Sequence, residues 1–295
     1  MNELPLPGFC GATIDRADHV RSSPEALADA RGALSARLLR LSGIDPELDD
    51  AGGLGWGSMA EVAPDAELLF LGFVDGKPRW AALPPPTARI DARSRTVWAV
   101  LGFLDAADMA LYGGARSLID WHHRHRFCTT CGGGTVIAKG GWQRDCTGCA
   151  AAHFPRTDPV VIMLPSHDDA VLVARQAGWP EGRYSALAGF IEPGESLEGA
   201  VRREVFEEAG LTCAAVRYIA SQPWPFPSQL MIACIADADG RDIVLDTTEL
   251  SAAMWVDCDQ VRAALAGDAA APFIAPPPYA IAHTLLAHWV QSEQG

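Results

Sequence analysis

Residues 196–210 constrain this chain more than any other segment, because they predict a helix that carries acidic residues on its apolar side. Ser196 is suited to cap the N-terminus of such a helix, and Gly210 is suited to end it. At roughly 100° per residue, Glu204 and Glu208 fall within the arc of the aliphatic residues. Carboxylates on that side of a helix cost free energy unless a positive group receives them. The segment therefore predicts a binding site for a cation.

The acidic residues of this helix outnumber the arginine that lies among them. Glu207 is at the edge of the apolar arc, and a single Arg203 cannot neutralise all of these carboxylates. The alternative is an amphipathic helix whose charges pair with one another in solvent, but that arrangement places carboxylates opposite the aliphatic residues. Mg²⁺ or Mn²⁺ prefers carboxylate oxygens. We therefore expect one of these ions here; beside a pyrophosphate, such an ion could orient water and bear the developing charge.

Four cysteines form the second strong pattern. Cys128 and Cys131 are separated by two residues, as are Cys146 and Cys149, and 14 residues lie between the pairs. Four thiolates in a tetrahedral array suit Zn²⁺ and leave no position open for substrate. Redox-active disulfides are the alternative. A ribbon of about 25 residues has little core of its own, so we predict that zinc stabilises its fold.

The chain of 295 residues is too long for one ordinary domain and predicts two domains with a small insert. We place an N-terminal α+β domain at residues 1–123, the zinc ribbon at 124–155 and the C-terminal domain at 156–295. Helical and strand-like segments are mixed over roughly the last 140 residues, as in a compact α+β or α/β domain. The predicted fold class is α+β.

Charge and hydropathy restrict the function. The chain has 23 basic and 37 acidic residues, and its net charge of −14 opposes a role based on bulk attraction to nucleic acid or anionic lipid. No apolar run approaches the roughly 18 residues of a membrane-spanning helix. The N-terminus shows no basic segment followed by an apolar core. We therefore expect a cytoplasmic protein without a membrane partner.

Three local predictions concern the first half of the chain. Thr96–Leu101 is rich in β-branched and aromatic residues and predicts a strand. Leucines at helical spacing predict a helix within residues 26–41. His122, His123 and His125 lie in a short helix before the cysteines, where arginines alternate with them. A solvated helix face is therefore favoured over a metal site.

Residues 189–211 resemble the Nudix box, whose pattern is G-x5-E-x7-R-E-U-x-E-E-x-G-U, with U a bulky aliphatic residue. The residues that match its fixed positions are Gly189, Glu195, Arg203, Glu204, Val205, Glu207, Glu208, Gly210 and Leu211. The resemblance implies the Nudix α/β/α sandwich for the C-terminal domain. It also implies metal-dependent hydrolysis of a nucleoside diphosphate linked to another group.

The same resemblance implies roles for individual residues. The groups implied to bind Mg²⁺ or Mn²⁺ are the carbonyl of Ala188 and the carboxylates of Glu204, Glu207, Glu208 and Glu249. Glu249 matches a late glutamate that the family uses as a metal ligand or base. Arg203 is counted with the catalytic residues, and Glu195 and Arg203 are both implied to be supports that fix the loop and the helix.

Residues 221–227 read SQPWPFP, in which prolines alternate with aromatic residues and hold an extended segment. Rigid aromatic rings suit stacking on a flat ring, and Gln222 could read an amide or ribose edge. A proline-rich connector packed on the core is the alternative. Together with the box and the zinc ribbon, the segment resembles the signature of NADH pyrophosphatases, a family also described as NAD-capped RNA hydrolases. The family signature continues x-Ser, where this chain has Ser228 and Gln229.

This second resemblance implies a substrate site. Phe190 and Trp224 are implied to stack on nicotinamide, with Trp224 contributed across the interface of a homodimer. The residues implied to contact substrate are Phe154, Phe190, Gln222, Pro223, Trp224, Pro225, Phe226, Pro227, Ser228, Gln229 and Ala271.

The implied reaction is hydrolysis of the pyrophosphate of NADH or NAD⁺ to nicotinamide mononucleotide and AMP. The same cut would remove NAD caps from RNA 5′ ends. Glu249 or Glu207 would accept the proton of the attacking water, and the sequence leaves this choice open. One alternative is a Nudix hydrolase that acts on ADP-ribose, dinucleoside polyphosphates or another nucleoside-diphosphate derivative. Another is a zinc-ribbon RNA-binding protein with a vestigial hydrolase domain, which the intact glutamates and the net charge of −14 oppose.

Overall fold

The computed structural model describes residues 6–88, residue 90 and residues 96–293. These residues form two compact units. The N-terminal unit contains residues 9–157 and 223–228, and the C-terminal unit contains residues 6–8, 158–222 and 229–293. The division into three domains with boundaries after residues 123 and 155 stays a prediction. No helix within the described ranges has the length and apolar composition needed to cross a bilayer.

Short helices and small sheets make up the N-terminal unit. Its helices are α1 (Asp18–Arg21), α2 (Pro24–Gly32), α3 (Thr96–Leu101) and α4 (Ala106–Arg124), with 3₁₀ turns at Met59–Glu61 and Lys139–Gly141. Its strands are β1 (Arg37–Leu39), β2 (Leu41–Ser42), β3 (Asp45–Pro46), β4 (Trp56–Ser58), β5 (Leu68–Val74), β6 (Lys77–Ala82), β7 (Thr135–Ala138), β8 (Gln143–Cys146) and β9 (Ala152–His153). One sheet has the order β4-β1-β6-β5, β2 pairs with β3, and β7-β8-β9 form the ribbon sheet.

Two predictions of secondary structure differ from the structure in this unit. Thr96–Leu101 is helix α3 rather than a strand, and it buries Val97 and Leu101, which are one helical turn apart. Strand propensity depends on context, so the β-branched composition did not decide this segment. The helix predicted within residues 26–41 ends at Gly32, because Ala33 has extended backbone angles (φ −62°, ψ 133°). The chain then continues into β1.

The helix before the cysteines buries one of its histidines. His122 in α4 is 1% exposed, and its Nε2 lies 2.7 Å from the carbonyl oxygen of Gly141. Its Nδ1 lies 3.0 Å from a guanidinium nitrogen of Arg144 in β8. Burial lowers the pKa of His122 to about 4, so the ring is neutral at pH 7. The predicted solvated face is therefore wrong at His122, because α4 packs against the ribbon sheet here.

The C-terminal unit contains one six-stranded sheet with helices on both faces. Its strands are β10 (Asp158–His167), β11 (Ala170–Gln176), β12 (Leu187–Phe190), β13 (Cys213–Trp224), β14 (Gln229–Ala238) and β15 (Leu250–Asp257). The last two residues of β13 are counted in the N-terminal unit. Its helices are α5 (Leu197–Ala209), α6 (Cys258–Leu265) and α7 (Ile281–Ser292). The sheet order is β13-β14-β10-β11-β15, and β12 pairs with β10. The central strand β10 is parallel to β14 and antiparallel to β11 and β12.

Alternate residues of β10 face opposite sides of this sheet, as the pleat of a strand requires. Val161 and Met163 pack in a cluster with Val201 of α5. Ile162 and Leu164 pack in a separate cluster that contains residues of α6 and α7. Helices therefore cover both faces, which is the α/β/α sandwich that the sequence predicts. With the mixed elements of the N-terminal unit, this confirms the α+β fold class.

Candidate active site

A cavity of about 510 Å³ opens in the C-terminal unit where β12, α5 and the segment before β15 meet. Its lining residues are Ala188, Gly189, Phe190, Glu192, Arg203, Glu204, Glu207, Glu208, Asp246 and Glu249. Six of these are acidic and one is basic, so the cavity is strongly negative. The five residues predicted to bind Mg²⁺ or Mn²⁺ are all among them.

Helix α5 presents its carboxylates to this cavity from the apolar side. The Oγ atom of Ser196 accepts a hydrogen bond from the backbone N–H of Gly199 at 3.1 Å, and Gly210 ends the helix with φ of 70°. Both ends lie where the sequence predicts them. Glu204 and Glu208 are 9% and 4% exposed. The periodicity of the sequence thus located two carboxylates that the fold removes from water.

Strand β12 brings its backbone up to these carboxylates. A Cβ atom at Gly189 would overlap the carboxyl group of Glu204. Gly189 is held in place because it pairs with Val161 in the antiparallel ladder between β12 and β10. The absence of a side chain at residue 189 therefore leaves the space that the Glu204 carboxylate occupies.

Arg203 organises the acidic groups around it. Its Nε and one terminal nitrogen donate to the two carboxylate oxygens of Glu195 at 2.7 and 2.9 Å. Its other terminal nitrogen donates to Glu204 at 2.8 Å and to Glu207 at 2.9 Å. The hydrogen bonds from Arg203 lower the pKa of Glu195 to about 2. Arg203 therefore ties the loop before α5 to two carboxylates of the helix.

Glu208 carries a buried oxygen atom, Oε2, with no hydrogen-bond partner among the described residues. Burial, and then the charges of Glu204 and Glu249, raise the pKa of Glu208 to about 8. A buried carboxylate oxygen without a donor, in a cavity lined by further acids, suits a hard divalent cation. The predicted ligands, namely the Ala188 carbonyl and the carboxylates of Glu204, Glu207, Glu208 and Glu249, are oxygen donors of the kind that Mg²⁺ or Mn²⁺ prefers, and their part in binding the ion stays a prediction.

Two lining residues, Glu192 and Asp246, were not predicted from the sequence. The backbone N–H of Glu192 donates to Glu195 at 2.9 Å. The Oδ1 atom of Asp246 accepts hydrogen bonds from the N–H and the hydroxyl of Thr248 at 2.8 and 2.7 Å. An Asp followed two residues later by Thr is a turn signal, and it could have located this turn just before Glu249.

The sulfur atoms of the four ribbon cysteines all lie within 4.8 Å of one another. The sulfurs of Cys131 and Cys146 are 3.4 Å apart, and those of Cys128 and Cys149 are 3.7 Å apart. Backbone N–H groups of Cys149 and Gly148 donate to the sulfur of Cys146 and lower its pKa, which favours the thiolate. Four convergent thiols with such donors fit one structural zinc ion.

The rings of the SQPWPFP segment pack against others within the N-terminal unit. Trp224 stacks on Trp98 with ring centroids 5.6 Å apart and an interplanar angle of 30°. Phe9 contacts Trp224 edge-on at 5.8 Å, and Phe226 contacts it at 5.2 Å. The guanidinium of Arg116 lies 4.8 Å from the centre of the Phe226 ring. These contacts fix the segment, and the nicotinamide contact of Trp224 stays a prediction.

Gln222 is fully buried, and its side-chain amide forms hydrogen bonds with backbone groups of the C-terminal unit. Its Nε2 donates to the carbonyl oxygens of Gly8 and Tyr279 at 2.8 and 2.7 Å. Its Oε1 accepts a hydrogen bond from the backbone N–H of Ile281 at 2.9 Å. Both donor hydrogens are therefore engaged with the protein. The structure gives no support to the prediction that Gln222 contacts substrate.

The other residues predicted to contact substrate are divided between the two units. Phe190 lines the cavity and is 53% exposed. Gln229 begins β14, and Ala271 packs against the hydrophobic core of the C-terminal unit. Those in the N-terminal unit are Phe154, Pro223, Trp224, Pro225, Phe226, Pro227 and Ser228. The substrate contacts of all these residues stay predictions.

Comparison with known proteins identifies both parts of the site. Residues 155–275 match the family model described as the NUDIX domain, and residues 123–154 match the NADH pyrophosphatase zinc ribbon domain. Over 187 residues the chain is 46% identical to the NAD-capped RNA hydrolase NUDT12 of Homo sapiens, covering 60% of this chain and 40% of that protein. Over 315 residues it is 38% identical to the NAD-capped RNA hydrolase NudC of Mycobacterium bovis, covering 99% and 97% of the two chains.

The α/β/α sandwich of the C-terminal unit and its acidic cavity place this protein in the Nudix class. With its matching ribbon and its identity to NudC over nearly the whole chain, the protein belongs to the Nudix family that carries the NADH pyrophosphatase zinc ribbon. The predictions of the family and of the Nudix and ribbon folds are thereby confirmed. The chain spans 40% of the length of its NUDT12 relatives.

Proposed function

We propose that this chain hydrolyses the pyrophosphate of NADH and NAD⁺ to nicotinamide mononucleotide and AMP, and that it removes NAD caps from RNA 5′ ends. The observation that carries the proposal is the buried, unpartnered Oε2 atom of Glu208 in a cavity lined by six acidic residues. This arrangement supports a cation site suited to phosphate chemistry. The names of NudC and NUDT12 as NAD-capped RNA hydrolases support the choice of substrate.

Different residues of the cavity have different roles in the proposed reaction. Glu204, Glu207 and Glu208 would hold a divalent cation, which when bound would supply neutralisation of the pyrophosphate charge and activation of water. Arg203 keeps the Glu204 and Glu207 carboxylates oriented through its hydrogen bonds at 2.8 and 2.9 Å. A water oxygen bonds to one phosphorus atom and its proton passes to Glu249. The bond from that phosphorus to the bridging oxygen breaks, and the bridging oxygen leaves on the other phosphate.

Glu249 is the better candidate for the base. The carboxylate of Glu207 accepts a hydrogen bond from Arg203 at 2.9 Å, so one of its oxygens is already engaged with the protein. In the described part of the chain no group hydrogen-bonds the carboxylate of Glu249. Glu249→Gln should therefore lower kcat far more than it changes KM, measured with NADH at saturating Mg²⁺. A larger loss of kcat in Glu207→Gln would assign the proton to Glu207 instead.

Phe190 is proposed to stack on the nicotinamide ring, since it is half exposed at the rim of the cavity. We also propose the homodimer that the family resemblance implies, with Trp224 of the partner subunit completing the nicotinamide site. Static light scattering of the active enzyme tests this, and a fully active monomer would contradict it. The cytoplasmic location stays a prediction.

Product analysis tests the reaction. NADH is incubated with the wild-type protein and Mg²⁺ or Mn²⁺, and the products are separated by HPLC. We expect reduced nicotinamide mononucleotide and AMP in equal amounts, and at least about a hundredfold less of both from Glu208→Gln, which removes a buried ligand charge. Glu198→Gln is the matched control, because Glu198 is an exposed glutamate in the first turn of α5 that lies outside the cavity lining.

Parallel incubations separate the alternatives. Turnover of ADP-ribose with no cleavage of NADH would support another Nudix substrate. A 5′-monophosphate RNA released from NAD-capped RNA would support cap removal. Salt-sensitive RNA binding without any cleavage, unchanged in Glu208→Gln, would support the RNA-binding alternative.

A further inference from the structure

The turn that carries Glu249 to the cavity is built around Asp246. The Oδ1 atom of Asp246 accepts hydrogen bonds from the N–H and the hydroxyl of Thr248 at 2.8 and 2.7 Å. Its carbonyl oxygen accepts the N–H of Leu250, the first residue of β15, at 3.0 Å. One residue therefore closes the turn through both its side chain and its backbone. Glu249 lies within the closed segment.

The same residue attaches this turn to the catalytic helix. The backbone N–H of Asp246 donates to the carbonyl oxygen of Glu208 at 3.0 Å. Two residues earlier, the N–H of Val244 donates to the carbonyl oxygen of Ala209 at 2.9 Å. A Cβ atom at Gly210 would lie 2.7 Å from the Cβ of Val244, so glycine there permits the close approach. The segment thus satisfies carbonyl groups that the end of α5 leaves without helical partners.

We propose that Asp246 is a positioning residue, which holds Glu249 at the cavity by accepting the hydrogen bonds of the 246–249 turn. The requirement is for an acceptor oxygen at this position rather than for a negative charge. The inference rests on the proposed function, since it assigns to Glu249 a part in the reaction. Asp246 also lines the cavity, and the competing possibility is that its carboxylate binds the cation directly.

Two variants of Asp246 separate these possibilities. Asp246→Asn keeps an oxygen that can accept both hydrogen bonds from Thr248 but removes the charge. Asp246→Ala removes both the acceptor oxygen and the charge. Asp268→Ala is the matched control, because Asp268 closes a turn in the same way, through Oδ1 and the N–H of Ala270 at 2.9 Å, outside the cavity lining. Thermal unfolding of each variant checks that the fold is intact.

Two readouts are measured, the steady-state constants for NADH and the binding of Mn²⁺ followed by the electron paramagnetic resonance of the free ion. We expect a ten- to hundredfold loss of kcat in Asp246→Ala, since misplacing a catalytic group by about 1 Å costs rates of this order. Asp246→Asn should retain kcat within threefold and wild-type affinity for Mn²⁺. Asp268→Ala should match the wild type in both readouts.

Either of two results overturns the proposal. Equal losses in Asp246→Asn and Asp246→Ala, with weakened Mn²⁺ binding in both, would make the charge of Asp246 the requirement. Full activity of a folded Asp246→Ala variant would show that Asp246 has no role in positioning Glu249. Failure of the proposed function is recognised separately, because the wild-type protein would then leave NADH intact. The variants would in that case be compared on ADP-ribose or on whichever parallel substrate the wild type cleaves.

Discussion

Gly189 and Glu204 are packed so closely that a Cβ atom on residue 189 would overlap the glutamate carboxyl group. Gly189→Ala should therefore displace the Glu204 side chain, lower kcat at least tenfold and cost about 1–3 kcal/mol of stability by overpacking. Gly199→Ala is the control, since its Cβ would meet its nearest neighbour, the Oγ of Ser196, at an ordinary 3.5 Å. It should keep full activity and gain up to about 1 kcal/mol from helix propensity. A fully active Gly189→Ala would show that Glu204 tolerates displacement.

The affinity of the cavity for Mn²⁺ should depend on pH. Burial, followed by the charges of Glu204 and Glu249, raises the pKa of Glu208 to about 8, and the cation binds only the ionised carboxylate. Affinity should therefore fall as the pH drops below about 8, by up to tenfold per pH unit for one proton. Mn²⁺ titrations from pH 6 to 9 measure this. Affinity that is constant across the range would contradict it.

The stability of the cation-free protein should change with pH in the opposite sense. The pKa of Glu208 is raised above its ordinary value of 4.5, so the folded state holds a proton that the unfolded state has lost. The stabilising contribution of protonated Glu208 is present in full below pH 4.5 and is lost as the pH rises towards about 8. Thermal unfolding of the zinc-loaded protein without added Mg²⁺ or Mn²⁺ measures it, with Glu208→Gln as the control in which this part of the slope disappears. An unchanged slope in that variant would assign the effect to other groups.

Gln222 should act on stability rather than on substrate binding. Gln222→Leu leaves the carbonyl of Gly8 and the N–H of Ile281 without their present partner, whereas the carbonyl of Tyr279 keeps its hydrogen bond from the N–H of Gly8 at 3.0 Å. Unsatisfied buried groups of this kind cost about 2–4 kcal/mol in total, which denaturant unfolding measures. The KM for NADH of the folded variant should stay within twofold. A raised KM without loss of stability would support the sequence prediction that Gln222 contacts substrate.

Loss of one ribbon thiol should release zinc. Cys146 lies 3.4 Å from Cys131, and Cys146→Ser leaves three thiols for an ion that prefers four. We expect less than one zinc per chain by atomic absorption and a lower unfolding temperature, since metal binding stabilises such small folds. Cys258→Ser is the control, because Cys258 lies in α6 of the C-terminal unit. A full zinc content in Cys146→Ser would contradict the four-thiolate site.

The parts of this protein that were predicted correctly from sequence depend on residues close together in the chain. Helix α5, its caps and the burial of Glu204 and Glu208 follow from a period of about 3.6 residues, which is a local property. The convergence of the four ribbon sulfurs within 4.8 Å follows from two tight turns with fixed spacing. The nine matching positions of the Nudix box lie within 23 residues for the same reason.

The tertiary structure decided what depends on contacts between distant residues. Gln222 looked available for substrate until the fold buried its amide against Gly8 and Tyr279, which lie 214 and 57 residues away in the sequence. Thr96–Leu101 has the composition of a strand but is a helix, since its packing overrides its propensity. Asp246 became part of the site only when its segment docked on the end of α5. The sequence alone determined which chemical groups the protein carries and their local order. The packing of the chain decided which of these groups come together at the site and which form the contacts that stabilise the fold.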